Sequence, residues 1–275
     1  CFDHLQQTQA AALFQKFGAV AAESTFPALV YGAFSGMALT VFNLVPSVTN
    51  MFGKSVLPCA AQSWAKGQKE VVQKQLQSVL FLTALIALPA AGGLFCLSDS
   101  ILTLLYPGQE TACRIAAESL RSLLPGMVFL CFTMPLFSIL QGIGRADLPV
   151  KYMLPCVAVK LLGNLLFLQI PACSLLGAGL STSLCYALLF GMTLFSLCRM
   201  LGMSLRGLKP ILPLCYAATM SITTAYLFRN LTRTMPLPVM LLCSVGSAVV
   251  MYGVVLLLLE KTANRLREGL CFRMV

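Results

Sequence analysis

The sequence predicts an all-α, polytopic transmembrane helix bundle of about seven spans, and three observations carry that prediction. Of its 275 residues, 58% are hydrophobic and only 10% charged, and the mean hydropathy is +0.85. Soluble domains sit near half apolar and a quarter charged. The apolar residues are gathered into runs of about 20, the length a helix needs to cross a bilayer core. No two-residue alternation runs through them, which excludes a β-barrel.

Taken in order, the runs cover residues 31–57, 76–97, 122–142, 149–170, 175–198, 210–228 and 238–259. Pro46, Pro89, Pro135, Pro155 and Gly163 fall inside them, as membrane helices allow where neighbours re-satisfy the backbone. Ahead of the first run, "CFDHLQQTQAAALFQKFGAV" is polar and rich in Gln and Ala. It has no basic stretch before an apolar core and is not a signal peptide. After the first run, "KGQKEVVQKQLQ" (66–77) reads either as an interfacial lead-in, with Val71, Val72 and Leu76 resting on lipid, or as a solvated helix start. After the second, "SDSILTLLYPGQETACRIAAESLRSLLPG" (98–126) offers Ser98 or Asp99 as the cap of a short apolar turn. Tyr106–Pro107–Gly108 breaks that turn, and Thr111 caps the helix that follows.

Basic residues in short loops set the orientation. With the N-terminal segment counted as zero, the odd connections hold Lys66, Lys69, Lys74, Arg145, Lys151, Arg199, Arg206, Lys209, Lys261, Arg265, Arg267 and Arg273. The even ones hold Lys16, Arg114, Arg121, Arg229 and Arg233. The twelve mark the cytoplasmic side. The C-terminus is therefore expected inside and the N-terminal segment outside. An outer N-terminus without a signal sequence implies at least one preceding membrane helix, so the chain reads as a C-terminal fragment.

Several chemistries find no support. The twelve cysteines are scattered singly, without a CxxC pair or a Cys/His cluster, and read as small packing residues rather than metal ligands. The Gly-x-Gly of "QGIGRADLP" (141–149) closes a membrane helix at a basic turn, the wrong setting for a dinucleotide. No Walker-type loop is present for ATP hydrolysis. His4, the sole histidine, lies in the outer polar segment, and "NLT" at 230–232 matches a glycosylation acceptor only as a short pattern. No nucleophile, base and orienter can be assembled. The chain is not expected to be an enzyme, to carry a cofactor or metal, or to bind nucleic acid.

The informative residues are polar ones inside the spans. All nine acidic residues fall in loops or at span ends, whereas Lys54 and Lys160 fall within spans. In "TVFNLVPSVTNMFGKSVLP" the residues Asn43, Ser47, Asn50 and Lys54 are spaced four, three and four, which keeps them on one helical face. Lys160 and Asn164 are likewise one turn apart. A charge at the bilayer centre costs about 2.5–3.5 kcal/mol on insertion scales, so such residues face the bundle interior or water. Without an intramembrane carboxylate to pair with, the lysines fit an aqueous cavity that receives an anion, a phosphate above all. For Lys54, near the inner end of its run, snorkelling to the interface competes with that role. For Lys160 the competitor is an ion pair outside this sequence. Asn43 and Asn50 also suit plain interhelical hydrogen bonds.

The segments "YGAFSGMALTVFNLVPSVTNMFGKSVLPCAAQSWAKG" (31–67), "ALPAAGGLFCLSDSILTLLYPG" (87–108), "LLPGMVFLCFTMPLFSILQGIGRADLPV" (123–150) and "VKLLGNLLFL" (159–168) resemble the stage V sporulation protein B group. That group sits in the multidrug/oligosaccharidyl-lipid/polysaccharide (MOP) exporter superfamily, related to the lipid II flippases. The likeness is diffuse, spans roughly residues 25–200, and leaves 201–275 matched by hydropathy alone. It implies the second lobe of a MATE/lipid II flippase-like fold, with the first run as the family's eighth helix. Residues 1–30 would be an extracytoplasmic lead-in. Residues 31–200 would be five helices of the lobe, and 201–275 two added helices with a basic cytoplasmic tail.

The resemblance further implies a flippase for a lipid-linked anionic saccharide in the bacterial cytoplasmic membrane, serving polysaccharide, peptidoglycan or spore cortex synthesis. The bilayer and an N-terminal lobe of the same protein would be its partners. Lys160, Asn164, Asn50, Lys54 and Asn43 would line the substrate cavity. Two alternatives are a cation-coupled multidrug exporter, which needs an embedded carboxylate, and a non-transporting scaffold of a polysaccharide-assembly complex.

Overall fold

The computed structural model describes residues 26–168, 174–203, 211–231 and 236–271. The expectations for His4 and most of the 1–30 lead-in lie outside them. The described residues form helices joined by tight turns, with no strand among them. Helix α1 (Phe26–Gly32) passes through a π-helical turn (Ala33–Ala38) into α2 (Leu39–Ala65). There follow α3 (Lys69–Leu105), α4 (Glu110–Gly142), α5 (Asp147–Leu168), α6 (Ser174–Leu201), α7 (Ile211–Leu231) and α8 (Leu237–Cys271). The runs at 76–97, 122–142, 175–198 and 238–259 each lie within one helix, the run at 31–57 crosses the π turn from α1 into α2, and the described parts of 149–170 and 210–228 are helical. Six of the helical stretches are long and apolar enough to cross a membrane, as judged on the described residues, and α7 occupies the place of the run at 210–228.

α4 is the central post. It packs against α2, α3 and α6, while α5 leans on α6, α7 on α3 and α8 on α7. Of the most apolar stretch of α4, 72% is buried, against 11% for α5. The sequence accounts for this: Ile115, Leu120, Leu123, Met127, Leu136, Ile139 and Leu140 wrap all sides of α4 and are fully buried. Small residues set the spacing. A Cβ on Gly53 would lie 2.6 Å from Ser138 Oγ, and one on Gly142 would lie 2.9 Å from the Leu57 carbonyl, so α2 rests directly on α4.

The turns that end α2, α4 and α6 share one device. Gly67, Gly144 and Gly202 take φ of 72°, 79° and 66°, and the next N–H in each case reaches back five residues (Gln68 to Ser63, Arg145 to Leu140, Met203 to Cys198). This is the Schellman arrangement, which suits glycine and stops a helix sharply.

The connection at 98–126 departs from expectation. Neither Ser98 nor Asp99 caps a helix, because α3 runs without a break to Leu105. Leu97 and Leu102 are buried on either side of that point and hold the helix together. Thr111 is not a cap either: α4 starts at Glu110 with Gln109 before it and no side-chain cap. The break at Tyr106–Pro107–Gly108 is where the sequence puts it, and Tyr106 Oη donates to the Gly36 carbonyl in the π turn. The lead-in at 66–77 is a turn over 66–68 followed by the first part of α3. Its Val72 and Leu76 are buried against the bundle, and of the three apolar residues Val71 alone is exposed.

Candidate functional site

On α2 the predicted stripe does share a face. Asn43, Ser47 and Lys54 are exposed, and Asn50 is half-buried at the flank. The opposite face, with Val41, Phe42, Pro46, Thr49, Gly53 and Ala60, is buried. The exposed face is mixed, since Leu44, Val48 and Met51 lie among the polar residues. Ser47 Oγ donates to the Asn43 carbonyl one turn back at 2.7 Å, so its proton is spent within the helix. Lys54 stands deeper than its place in the hydropathy run suggests. The helix continues through Pro58 to Ala65, which leaves the lysine roughly 16 Å from the helix end at 1.5 Å per residue.

On α5, Lys160 and Asn164 stand along the side that meets α6. The Ser181 hydroxyl donates to Asn164 Oδ1, and a Cβ on Gly163 would sit 2.8 Å from Ser181 Cβ. Asn164 therefore ties α5 to α6. One turn back along α5, Lys160 is half-buried and within electrostatic range of Cys185 on α6. Below it Cys156, Cys185 and Leu189 form a small apolar cluster. Lys160 lies roughly 20 Å from the start of α5 at Asp147 and roughly 12 Å from its end at Leu168, and its four-carbon stem reaches neither end. No carboxylate pairs with it among the described residues.

The structure does not bring the two groups into contact. Lys54 belongs to α2 and Lys160 to α5, with α4 and α6 packed between. The bridge is aromatic: Phe42 of α2 stacks on Tyr186 of α6, centroids 6.3 Å apart and planes at 24°. An anion held by both lysines would need further groups to span that gap.

Two polar constellations were not legible in the sequence reading. Asp99 of α3 pairs with Arg121 of α4 and, at 3.9 Å, with Arg229 of α7. Arg121 Nε also donates to the Phe95 carbonyl at 3.4 Å, and Arg229 to the Cys96 carbonyl. The other lies in the α4–α6 seam. Ser183 Oγ donates to the Ser122 carbonyl at 3.1 Å and accepts from the Gly126 N–H at 3.0 Å. A signal for this second group did exist: Ser122/Gly126 and Gly179/Ser183 are both small residues four apart, the spacing of close helix contacts in membranes. The acid–arginine group offered only loop-like charges.

A model of the MatE family matches residues 28–166. Among curated proteins, the chain is 25% identical over 238 residues to the lipid II flippase MurJ of Bacillus subtilis, covering 81% of this chain and 43% of that protein. It is 24% identical over 157 residues to the uncharacterized membrane protein MJ1068 of Methanocaldococcus jannaschii, covering 57% and 30%. It is 26% identical over 114 residues to the sporulation protein YkvU of Bacillus subtilis, covering 42% and 24%. The solved structure of a lipid II flippase MurJ in an inward closed conformation superposes with a TM-score of 0.64 at 15% identity, over 94% of this chain and 52% of that one. The chain thus spans less than half the length of these curated relatives. A family model covering half of the chain, a bundle of membrane-length helices and the shared fold lead to one assignment: this multi-pass membrane protein belongs to the MatE family, within the MOP exporter superfamily.

Proposed function

We propose that the chain forms the second lobe of a flippase that carries a lipid-linked anionic saccharide across the cytoplasmic membrane. The lead observation is the ammonium of Lys160, inside α5 at roughly 20 Å from its start and roughly 12 Å from its end at Leu168, and without an ion-pair partner among the described residues. Keeping a cation there costs a few kcal/mol, which an arriving diphosphate would offset through charge-assisted hydrogen bonds. Asn164 positions the helix through Ser181. The α2 face with Asn43, Asn50 and Lys54 supplies the polar wall on the other side. A complementary lobe would close the cavity, and alternating exposure would be driven by an ion gradient or the membrane potential. The names of the relatives, a lipid II flippase and a sporulation protein, support a precursor of peptidoglycan or spore cortex as the cargo.

The cation-coupled exporter finds less support. Such a transporter needs a free embedded carboxylate, and Asp99 is occupied by Arg121 and Arg229. The test is binding of a polyprenyl diphosphate to the chain in lipid nanodiscs. Lys160→Ala is expected to weaken binding by about tenfold or more, the worth of one charge-assisted contact, while Lys160→Arg retains most of it. Equal affinity of wild type and Lys160→Ala sinks the reading.

A further inference from the structure

In the α4–α6 seam a side chain of α6 enters the hydrogen-bond ladder of the central helix, which is α-helical from Glu110 to Gly142. In an unbroken helix the Gly126 N–H bonds the Ser122 carbonyl. Here the Ser183 hydroxyl of α6 bridges those two groups. Pro125, the preceding residue, has no N–H for the Arg121 carbonyl. Two successive rungs of the ladder are thus missing or shared with α6. Sharp helix bends arise at prolines and where a side chain enters the i→i−4 ladder, and α4 has both within two residues.

What lies on each side of that point gives it direction. The outer segment, 110–122, is fastened to α3 by Arg121 on Asp99 and on the Phe95 carbonyl, and Asp99 also holds Arg229 of α7. The inner segment is fastened to the later part of α2, where Gly53 meets Pro135 and Ser138 and Gly142 meets Leu57, while the π turn and the start of α2, from Ala33 to Phe42, are buried against the outer segment. Ser181, two residues from Ser183 on α6, holds Asn164 of α5. The attachments of α4 thus lie on both sides of one weak point.

We infer that α4 bends at Ser122–Gly126, with the Ser183 hydroxyl as the wedge that keeps the bend open. The outer half of α4, with the ends of α3 and α7 and the π turn packed on it, then moves as one body against the inner half of α4. This hinge is a property of the helices and stands apart from the identity of the cargo, so polyprenyl diphosphate binding can fail without touching it.

Hydrogen exchange of the chain in lipid nanodiscs, followed by mass spectrometry, tests it. In the wild type, amides over 123–128 are expected to exchange about tenfold or more faster than those over 115–120, a largely buried and proline-free stretch of the same helix, because local opening sets the rate. Ser183→Ala lets the Ser122 carbonyl and Gly126 N–H close on each other and is expected to slow exchange over 123–128 by about tenfold. Pro125→Ala, at an exposed position, restores the neighbouring rung and is expected to slow it in part; it also serves if the serine variant does not fold. Equal exchange of the two stretches in the wild type overturns the hinge. So does faster exchange in Ser183→Ala, which would make the hydroxyl a staple.

Discussion

A single methyl group is too large for the place Gly179 occupies. Its Cβ would lie 1.9 Å from Ser122 Oγ, 2.5 Å from Ser122 Cβ and 2.9 Å from the Ser122 carbonyl carbon. The hydroxyl could rotate away, but the other two atoms cannot. Gly179→Ala should therefore destabilise the bundle by about 1–3 kcal/mol, the usual cost of overpacking, and Ser122→Ala should not rescue it. Thermal unfolding in detergent checks both. Gly191→Ala is the control, with nothing within 4 Å of its Cβ, and should leave unfolding unchanged. The face shared by Asn43, Ser47 and Lys54 was legible because helical spacing alone determines it. The partner of Asn164 was not: pairing with Ser181 depends on how α5 is rotated against α6, and one sequence contains no such angle.

α3, α4 and α7 meet at Asp99, where sequence reasoning expected a helix to start. Local chemistry favours an acidic cap at that point, but a carboxylate facing two guanidinium groups has a better use. Burial of Leu97 and Leu102 on the same helix settles the competition. The pairs are about a third exposed, so solvent screening limits what each contributes. A double-mutant cycle on Asp99→Asn and Arg121→Met should give a coupling of about 0.5–1 kcal/mol. The cycle with Arg229→Met, whose guanidinium lies 3.9 Å away, should give less. Unfolding in detergent at low and high salt measures both, and a larger value for Arg229 would contradict this ranking.

The positions of the spans were readable because hydropathy is summed along the chain and survives errors of a few residues. Which helix stands at the centre was not, because α3, α4 and α6 are all strongly apolar and three-dimensional burial alone separates them. With the C-terminus expected on the cytoplasmic side, a fluorescent reporter that matures only in the cytoplasm should be bright when fused after Val275. A periplasm-active phosphatase at the same place should be silent, and the reverse pattern would invert every inner and outer label used above. The lopsided packing of α5 has its own consequence. This beam is supported along one edge, on α6, and its other sides carry Val150, Leu154, Leu161 and Leu165 outward. Prising it loose would sacrifice one line of fastenings, Asn164 on Ser181 foremost. The ammonium group is thus mounted on the plank of the assembly that is cheapest to lift.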